Sequence, residues 1–207
     1  VNSEELEGKN CNFKEVFKNS KGIIVPGGFG SRGIEGMIKA CEYARVNKIP
    51  YLGICLGMQI AVIEFARHVC GIADASSREF NELCPNPVID LMADQKAVIN
   101  KGGTLRLGNY RCSITKGTLA YKDYKSDEIL ERHRHRYEFN NNYKEILANK
   151  GMIFSGVNPE SNLVEIIELP NHPHFIACQF HPEFKSRPTK AHPLFDSFIK
   201  ASIENKK

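Results

Sequence analysis

The 207-residue chain carries 28 Lys and Arg against 24 Asp and Glu, a formal net charge of +4, and 42% of its residues are hydrophobic. This composition is typical of an ordinary globular domain, and so mild and dispersed a positive charge argues against nucleic acid as a partner. No apolar run approaches the roughly 18 residues that cross a bilayer, and the acidic N-terminal segment is not typical of a signal peptide.

Seven cysteines are present, an odd number without a C-x-x-C pair. This pattern argues against a disulfide framework or a zinc knuckle. We therefore expect reduced and mostly buried thiols in a cytoplasmic protein with no metal site and no membrane contact. Cys55 is the exception, because its surroundings in the sequence are unusual.

The first half of the chain predicts strands and helices in alternation. Residues 1–20 are helix-compatible, with Phe13, Val16 and Phe17 facing inward. Apolar runs predict strands at 21–25 and 50–54, and helical spacing of apolar residues predicts helices over 34–47 and 56–68. Strand, helix, strand, helix with short loops is typical of right-handed βαβ units. The predicted fold is α/β, a doubly wound and mostly parallel sheet with added antiparallel strands.

The second half predicts those added strands. Residues 71–86 have no clear period and are expected to be irregular, and His172-Pro173-His174 is expected to be a solvated turn. The predicted strands are 88–92, 104–115, 132–139, 152–157, 163–169 and 175–180, and the predicted helices are 142–150 and 193–204. No linker or repeat interrupts the chain, so one domain over residues 1–207 is expected.

Gly53-Ile54-Cys55-Leu56-Gly57 has the spacing of a nucleophile elbow, a sharp turn from a strand into a helix. The turn would place the Cys55 thiol at a helix N-terminus, where free N–H groups favour negative charge. Taken alone, the motif fits a buried structural cysteine equally well.

A cysteine nucleophile needs a base, and His181 is the best-placed histidine. It follows an apolar strand, where α/β sheets place their active-site loops. Glu183 lies behind a stiffening proline and can orient the imidazole. Pro26-Gly27-Gly28 ends another strand without side chains, so its N–H groups can approach a substrate closely. The alternative for residues 181–183 is a plain strand-ending turn.

Together these motifs resemble the class I (triad) glutamine amidotransferases, and within them the glutaminase domain of the CTP synthases. The resemblance covers the whole chain and implies a flavodoxin-like fold. The matching motifs are Pro-Gly-Gly-Phe-Gly-x-Arg-Gly-x-Glu-Gly-Met at 26–37, Gly-Ile-Cys-Leu-Gly-Met-Gln at 53–59, Gly-Gly-Thr-Leu-Arg-Leu-Gly at 102–108, Glu-Arg-His-Arg-His-Arg-Tyr-Glu at 131–138 and Gln-Phe-His-Pro-Glu-Phe at 179–184.

The resemblance implies that this domain hydrolyses L-glutamine to glutamate and ammonia. Cys55 would attack the side-chain amide and form a glutamyl thioester. His181 would act as base and then acid, with Glu183 orienting it. The backbone N–H groups of Gly28 and Leu56 would bind the oxyanion.

The same resemblance implies that Gln59, Glu79 and Arg136 hold glutamine, and that Arg32 and Thr104 take part in activation by GTP. A carboxylate suits the α-ammonium of glutamine and a guanidinium suits its α-carboxylate. In the family the ammonia passes to a synthetase domain, which uses ATP and Mg²⁺ to aminate UTP to CTP, a ligase reaction of pyrimidine biosynthesis in a homo-oligomeric enzyme. No cofactor is implied for the glutaminase domain itself.

The chain departs from the family pattern in two respects. We expect the synthetase domain to be absent. Family members have a strand and a helix before the segment that matches Val1, so we also expect a domain that lacks its first strand and helix. Two alternatives stay open: a γ-glutamyl peptidase-type thiol hydrolase on the same fold, and a regulatory or interaction domain that is inactive in isolation.

The run Arg132-His133-Arg134-His135-Arg136 also fits a metal site or a nucleic-acid patch. On a strand, however, the two histidines share one face and the arginines the other. Two histidines without a third nearby ligand make a poor zinc site, and no aromatic platform accompanies the run. We expect a packed strand with one arginine facing the substrate.

Overall fold

The structure, a computed structural model, describes residues 1–91 and 105–205. Its strands are Ile23–Val25 (β1), Tyr51–Ile54 (β2), Ala75–Ser77 (β3), Asn86–Asp90 (β4), Arg106–Ile114 (β5), Glu128–His135 (β6), Glu138–Phe139 (β7), Ile153–Val157 (β8), Val164–Glu168 (β9) and Phe175–Cys178 (β10). Its α-helices are Ser3–Leu6 (α1), Phe13–Val16 (α2), Ile34–Asn47 (α3), Leu56–His68 (α4), Leu119–Tyr124, Lys144–Asn149 and Pro193–Glu204, the last called the C-terminal helix below.

Seven of these strands form one sheet in the order β1-β2-β10-β9-β8-β5-β6, and β3, β4 and β7 form a smaller one. Strands β1, β2 and β10 are parallel neighbours. Because parallel strands end at the same edge of a sheet, the loops that follow Val25, Ile54 and Cys178 meet there. These loops carry Pro26-Gly27-Gly28, Cys55 and His181, so the topology assembles the predicted site.

The predicted α/β fold with added antiparallel strands is confirmed. Among the described strands, parallel pairing is confined to β1–β2, β2–β10 and β3–β4. All other pairings are antiparallel, so the antiparallel part is larger than the sequence indicated. The reason is that after α4 the chain stops alternating strands with long helices, and short connections join only antiparallel neighbours.

Several predicted elements match closely. Helix α3 spans the predicted 34–47, β8 and β9 form the predicted hairpin, and the C-terminal helix spans the predicted 193–204. Residues 71–86 were expected to be irregular, which is wrong at one place because they contain β3. This strand is only three residues long, and no period can emerge from so short a run.

Two predictions of exposure are wrong. Val16 was expected to face inward but is 40% exposed, because α2 is a single turn that packs through its aromatic residues. His172 and His174 were expected in a solvated turn but are 8% and 2% exposed. The turn is buried because the ring of His172 bonds the carbonyl oxygen of Ala44 in α3, and His174 packs beside Phe198 of the C-terminal helix.

Helix α4 lies at the centre of the molecule. Its first eleven residues, Leu56 to Ala66, are all buried, and it packs against the parallel strands on one side and the smaller sheet on the other. Most of these buried residues are apolar, and a helix with apolar residues on every side needs such a position. Its N-terminus therefore has a fixed place, directly after Cys55.

Strand β1 is the outermost strand on its side of the sheet among the described strands. Ile24 is 44% exposed there, and a cavity of about 340 Å³ lies along this edge, lined by Val1, Leu6 and Phe17 among others. No helix in the described part of the chain has the length and apolar character that a membrane span requires.

Candidate active site

Cys55 occupies a strained turn between β2 and α4, with φ 51° and ψ −100°. Non-glycine residues with positive φ are uncommon and cluster at functional sites. The two flanking glycines are there because neighbouring atoms leave no room for a side chain. A Cβ at Gly53 would lie 2.6 Å from the carbonyl oxygen of Gly57, and a Cβ at Gly57 would overlap the carbonyl oxygen of Val25. The predicted nucleophile elbow is therefore present.

The Cys55 thiol is buried, and burial raises its pKa to about 12. The backbone N–H of Leu56 donates to the sulfur and acts in the opposite direction, as expected at a helix N-terminus. The carboxylates of Glu138, Glu183 and Glu79 raise the pKa further. The helix terminus alone thus does not ionise this thiol, and a base must accept its proton.

His181 is placed to be that base. Its Nδ1 lies 2.6 Å from Oε1 of Glu183. Burial alone would raise the pKa of the Glu183 carboxyl, but the hydrogen bond and the charge of His181 outweigh it, so this pKa is lowered. Because a carboxylate accepts, Nδ1 donates its proton, and Nε2 presents a lone pair when the ring is neutral. Nε2 is buried and has no hydrogen-bond partner within the described part of the chain. Phe184 stacks on the imidazole at 5.0 Å.

The loop of Pro26-Gly27-Gly28 closes over both groups. A Cβ built at Gly27 would lie 2.9 Å from Cε1 of His181 and 3.7 Å from Cβ of Cys55, so the side chains of Cys55 and His181 border the same point in space. A Cβ at Gly28 would lie 2.9 Å from the side chain of Leu56. Gly28 and the side chain of Leu56 are therefore neighbours, and Gly28 and Cys55 line the same cavity.

A cavity of about 350 Å³ opens onto the thiol. Its walls contain most of the residues predicted to hold the substrate. They are Gly28, Phe29, Cys55, Gln59, Glu79, Leu105, Arg134, His135, Arg136 and Tyr137. The volume suits a small molecule of amino-acid size rather than a protein or nucleic-acid chain.

The predicted substrate-holding residues differ in how they are fixed. Glu79 accepts a hydrogen bond from the backbone N–H of Gly30 at 2.9 Å. Burial raises the pKa of Glu79, and both that bond and the nearby charge of Arg136 lower it. Gln59 is 3% exposed, and its Nε2 donates to the carbonyl oxygen of Tyr137 at 3.1 Å. A carboxylate and a guanidinium thus share the walls of one cavity.

Of the two residues predicted to couple to GTP, Arg32 lies outside this cavity. The side chain of Arg32 is 83% exposed and pairs with Glu4 at 3.0 Å, and Arg32 is not part of the cavity wall. Thr104 lies outside the described residues. Their assignment stays a prediction.

The arginine-histidine run is a packed strand, as predicted. Within β6, His133 and His135 are buried while Arg132 and Arg134 are exposed. Nδ1 of His133 lies 2.8 Å from Nε2 of His135, so the two rings bond each other. The backbone carbonyl of Arg132 accepts from the N–H of His181 at 2.8 Å, which fixes His181 to this strand.

A buried charge cluster behind the cavity was not predicted. Arg106 donates to Glu138 at 3.1 Å and to Glu165 at 2.8 Å, and none of the three is more than 6% exposed. Burial raises the pKa of Glu138 to about 8 and also raises that of Glu165. Burial and the charge of Arg106 lower the pKa of His133 to about 2 and of His135 to about 3.

One group of three potential metal ligands occurs in the described residues, Glu42, Glu64 and His68. It lies on α3 and α4, away from the cavity. Glu64 already accepts three hydrogen bonds from Arg45, between 2.7 and 3.1 Å. A guanidinium in this position takes the role that a cation would have.

Comparison with known families decides which family the chain belongs to. The profile of the family described as "Glutamine amidotransferase class-I" matches residues 3–201. The chain belongs to the class I glutamine amidotransferase family. It is 59% identical over 206 residues to a CTP synthase of Caldanaerobacter subterraneus subsp. tengcongensis and 61% identical over 206 residues to one of Treponema denticola. In each case the match covers 100% of this chain and 38% of the relative.

Among solved structures of this family, the glutaminase domain of a Trypanosoma brucei CTP synthase with bound acivicin superposes with a TM-score of 0.92 at 42% identity, covering 100% of this chain and 80% of that one. Outside that match, a structure described as a "putative gmp synthase subunit a protein" of Thermoplasma acidophilum superposes with a TM-score of 0.61 at 17% identity, covering 92% of this chain and 77% of that one, which shows a shared fold alone. The family predicted from the sequence motifs is therefore confirmed: the chain corresponds to the glutamine amidotransferase domain of a CTP synthase.

Proposed function

We propose that this chain hydrolyses L-glutamine through Cys55, His181 and Glu183. The observation that carries the proposal is the meeting of three features at one edge of the sheet. These are a strained cysteine beside a helix N-terminus, an imidazole whose Nδ1 is held 2.6 Å from a carboxylate, and a cavity lined by both an acid and an arginine. Membership of the glutamine amidotransferases supports the choice of glutamine as substrate.

The reaction starts with transfer of the thiol proton from Cys55 to Nε2 of His181. The sulfur then bonds to the side-chain amide carbon of glutamine, and the carbonyl oxygen becomes an oxyanion facing the N–H groups of Gly28 and Leu56. As the carbon–nitrogen bond breaks, His181 returns the proton to the nitrogen, which leaves as ammonia. Glu183 stabilises the imidazolium in between.

The second half regenerates the enzyme. His181 takes a proton from water, and the resulting hydroxide adds to the thioester carbon. The carbon–sulfur bond breaks, the proton returns to the sulfur, and glutamate leaves. Substrate orientation follows from charge: Glu79 binds the α-ammonium group and Arg136 the α-carboxylate, while Gln59 borders the chain between them.

The whole protein's reaction is a further part of the proposal. The chain spans about 38% of the length of the curated CTP synthases it matches. We infer that in such a longer polypeptide the ammonia passes to a synthetase domain, which aminates UTP to CTP with ATP and Mg²⁺. GTP activation through Arg32 and Thr104, a homo-oligomeric assembly and a cytoplasmic location belong to the same proposal.

The direct experiment measures release of glutamate and ammonia from glutamine by the 207-residue chain. We expect turnover that falls at least about a thousandfold in Cys55→Ala and about a hundredfold or more in His181→Ala. Cys11→Ser serves as the control, because this thiol lies outside the site and its loss should leave turnover unchanged.

Two outcomes favour the alternatives. Cleavage of γ-glutamyl peptides far faster than glutamine would identify a peptidase of the same fold. Equal inactivity of the wild type and both variants would mean that the domain has a regulatory or interaction role in isolation.

A further inference from the structure

Gln179 is buried beside the thiol but has no assigned role. It follows β10 and precedes Phe180 and His181, and it is 0% exposed. Its backbone N–H donates to the carbonyl oxygen of Glu165 at 2.9 Å. Its side-chain Nε2 lies 3.7 Å from Sγ of Cys55, within the range of an N–H to sulfur hydrogen bond.

The orientation of this amide is fixed by a chain of hydrogen bonds. Nε2 of Gln59 donates to the carbonyl oxygen of Tyr137 at 3.1 Å, so this end of Gln59 is the amino group. The same Nε2 lies 3.4 Å from Oε1 of Gln179. Because a donor requires an acceptor, the oxygen of Gln179 faces Gln59 and its amino group faces the sulfur.

Tyr137 is held in turn by β6. Its carbonyl oxygen also accepts from Nδ1 of His135 at 3.2 Å. The polar chain therefore runs from the buried histidines through Tyr137, Gln59 and Gln179 to the thiol of Cys55. Each member is positioned by the next, so the amide cannot turn without breaking a buried hydrogen bond.

The sulfur thus has two donors, the backbone N–H of Leu56 and the amide of Gln179. Both occupy lone pairs, so the thiol hydrogen is directed away from them, and the side chains of Cys55 and His181 border a common point at Gly27. When the proton leaves, the same two donors stabilise the thiolate. Gln179 is not part of the cavity wall, so it acts on the sulfur and not on the substrate.

We propose that Gln179 is a positioning residue that orients the Cys55 thiol toward His181 and stabilises its thiolate, a role that rests on the proposed hydrolysis of glutamine. The proposal separates Gln179 from Gln59. Gln59 borders the cavity and should affect binding as well as turnover, whereas Gln179 should affect turnover alone.

The test measures the rate of alkylation of Cys55 by iodoacetamide between pH 6 and 10 in the 207-residue chain, read by peptide mass spectrometry. Gln179→Met keeps the length and removes both hydrogen bonds, so the rate at pH 8 should fall about five- to tenfold, the effect of one ordinary hydrogen bond. Gln179→Glu places a carboxylate beside the sulfur, so the rate should fall further and its rise should move to higher pH.

The other six cysteines are internal controls for the reagent. Ser155→Ala is the matched variant, because Ser155 is a buried polar residue of β8 whose hydroxyl has no partner among the described residues, and it should leave alkylation unchanged. Gln59→Met removes the partner that fixes the amide and should slow alkylation in the same direction. This variant tests the proposal even if changes at position 179 impair folding.

Glutamine hydrolysis gives the second readout. In Gln179→Met, kcat should fall about five- to tenfold while KM stays within about twofold. An unchanged alkylation profile in folded Gln179 variants, or a rise in KM alone, would overturn the proposal. Slower alkylation in a chain that hydrolyses no glutamine would leave the role of Gln179 intact and reject the proposed function instead.

Discussion

Close approach of backbone to backbone decides which residues can flank Cys55. Gly57 lies against the carbonyl of Val25 in β1, and Gly53 lies against Gly57 and the side chain of Ala177 in β10. Because the parallel strands pack directly against the start of α4, even a methyl group at either glycine must displace main chain. The elbow is therefore a requirement of packing as well as of chemistry.

Gly57→Ala should lower the free energy of unfolding by about 3 kcal/mol, since the new Cβ meets backbone that cannot turn aside. The measurement is urea unfolding followed by circular dichroism. Gly117→Ala is the control: its site has open space but a φ of 84°, so only backbone strain of about 1 kcal/mol is expected. Equal losses in the two variants would contradict the packing argument.

Gly27 affects the chemistry rather than the stability. A Cβ there would lie 2.9 Å from the imidazole of His181, a flexible neighbour that can move aside. Gly27→Ala should therefore lower kcat for glutamine about a hundredfold, because a displacement of about 1 Å in a catalytic group has such an effect. The free energy of unfolding should change by less than about 1 kcal/mol. A variant with normal kcat would show that this loop does not set the position of the base.

At the scale of elements, β6 connects the buried charge cluster to the site. The carbonyl oxygen of Tyr137 requires a proton on Nδ1 of His135, so Nε2 of His135 accepts from Nδ1–H of His133. Nε2 of His133 then carries no hydrogen and can only accept, yet it lies 3.5 Å from Oε2 of Glu165. Two acceptors face each other, so one proton must be shared between them, in agreement with the raised pKa of Glu165.

In Glu165→Gln the side-chain amino group should donate to His133 at every pH, in place of the shared proton. Its amide oxygen can accept from Arg106 while its amino group donates to His133, so the free energy of unfolding at pH 7 should stay within about 1 kcal/mol of the wild type. Glu165→Leu has a similar volume but leaves Arg106 with a single partner, Glu138, and should cost about 3 kcal/mol or more. Urea unfolding measures the free energy of unfolding of both variants. Equal losses in Glu165→Gln and Glu165→Leu would refute the shared proton.

The sequence predicted which side chains of β6 are buried, but not which residues of other strands they contact. Alternation of histidine and arginine predicted which face is buried, because side chains alternate across a strand. The proximity of Arg106 and Glu165 to His133 depends on β5 lying between β6 and β8, a pairing that no local period encodes. Gln179 was likewise visible within its motif, but its contact with the sulfur arises only when β10 lies beside β2.

The site itself was more predictable than the sheet. Cys55, His181 and the loop of Pro26-Gly27-Gly28 all follow apolar strands, and a parallel sheet gathers such strand ends at one edge. The pKa of the thiol was not foreseen, because its rise depends on burial under the surrounding loops. A helix N-terminus can be identified in a sequence, whereas the desolvation that opposes it cannot.

Over the whole molecule, buried neutral histidines link stability to pH. His174 is 2% exposed, and burial lowers its pKa from 6.5 to about 4. The pKa of His172 is also lowered, because burial favours the neutral ring that donates to Ala44 and accepts from the N–H of His174. Protonating His172 places a proton on Nδ1, the atom that accepts from the N–H of His174, and protonating His174 places a charge beside the ring of Phe198.

Because the pKa of His174 is lower in the folded state than in the unfolded state, its effect on stability grows as the pH rises. Below pH 6.5 the unfolded chain binds a proton that the folded chain does not bind until about pH 4. Its contribution to stability is therefore complete above pH 6.5 and is lost as the pH falls toward 4, at up to about 1.4 kcal/mol per pH unit.

His174→Leu removes this dependence. The difference in free energy of unfolding between variant and wild type should shift in favour of the variant by about 2–3 kcal/mol between pH 7.5 and 4.5. Asp123, whose pKa burial raises to about 6, titrates in the same range but is common to both proteins and cancels in the difference. Urea unfolding at the two pH values measures this, and a constant difference would show that His174 is not held neutral.

The central claim is that Cys55 is a nucleophile activated within a site for glutamine. Its most direct test treats the chain with a glutamine-analogue electrophile at pH 7.5 and maps the adduct by peptide mass spectrometry, with and without excess glutamine. We predict that Cys55 alone is labelled, that glutamine protects it, and that His181→Ala reduces labelling at least about tenfold, because the buried thiol needs this base. Labelling spread over the other six cysteines, or labelling of Cys55 that glutamine does not reduce, would contradict the claim.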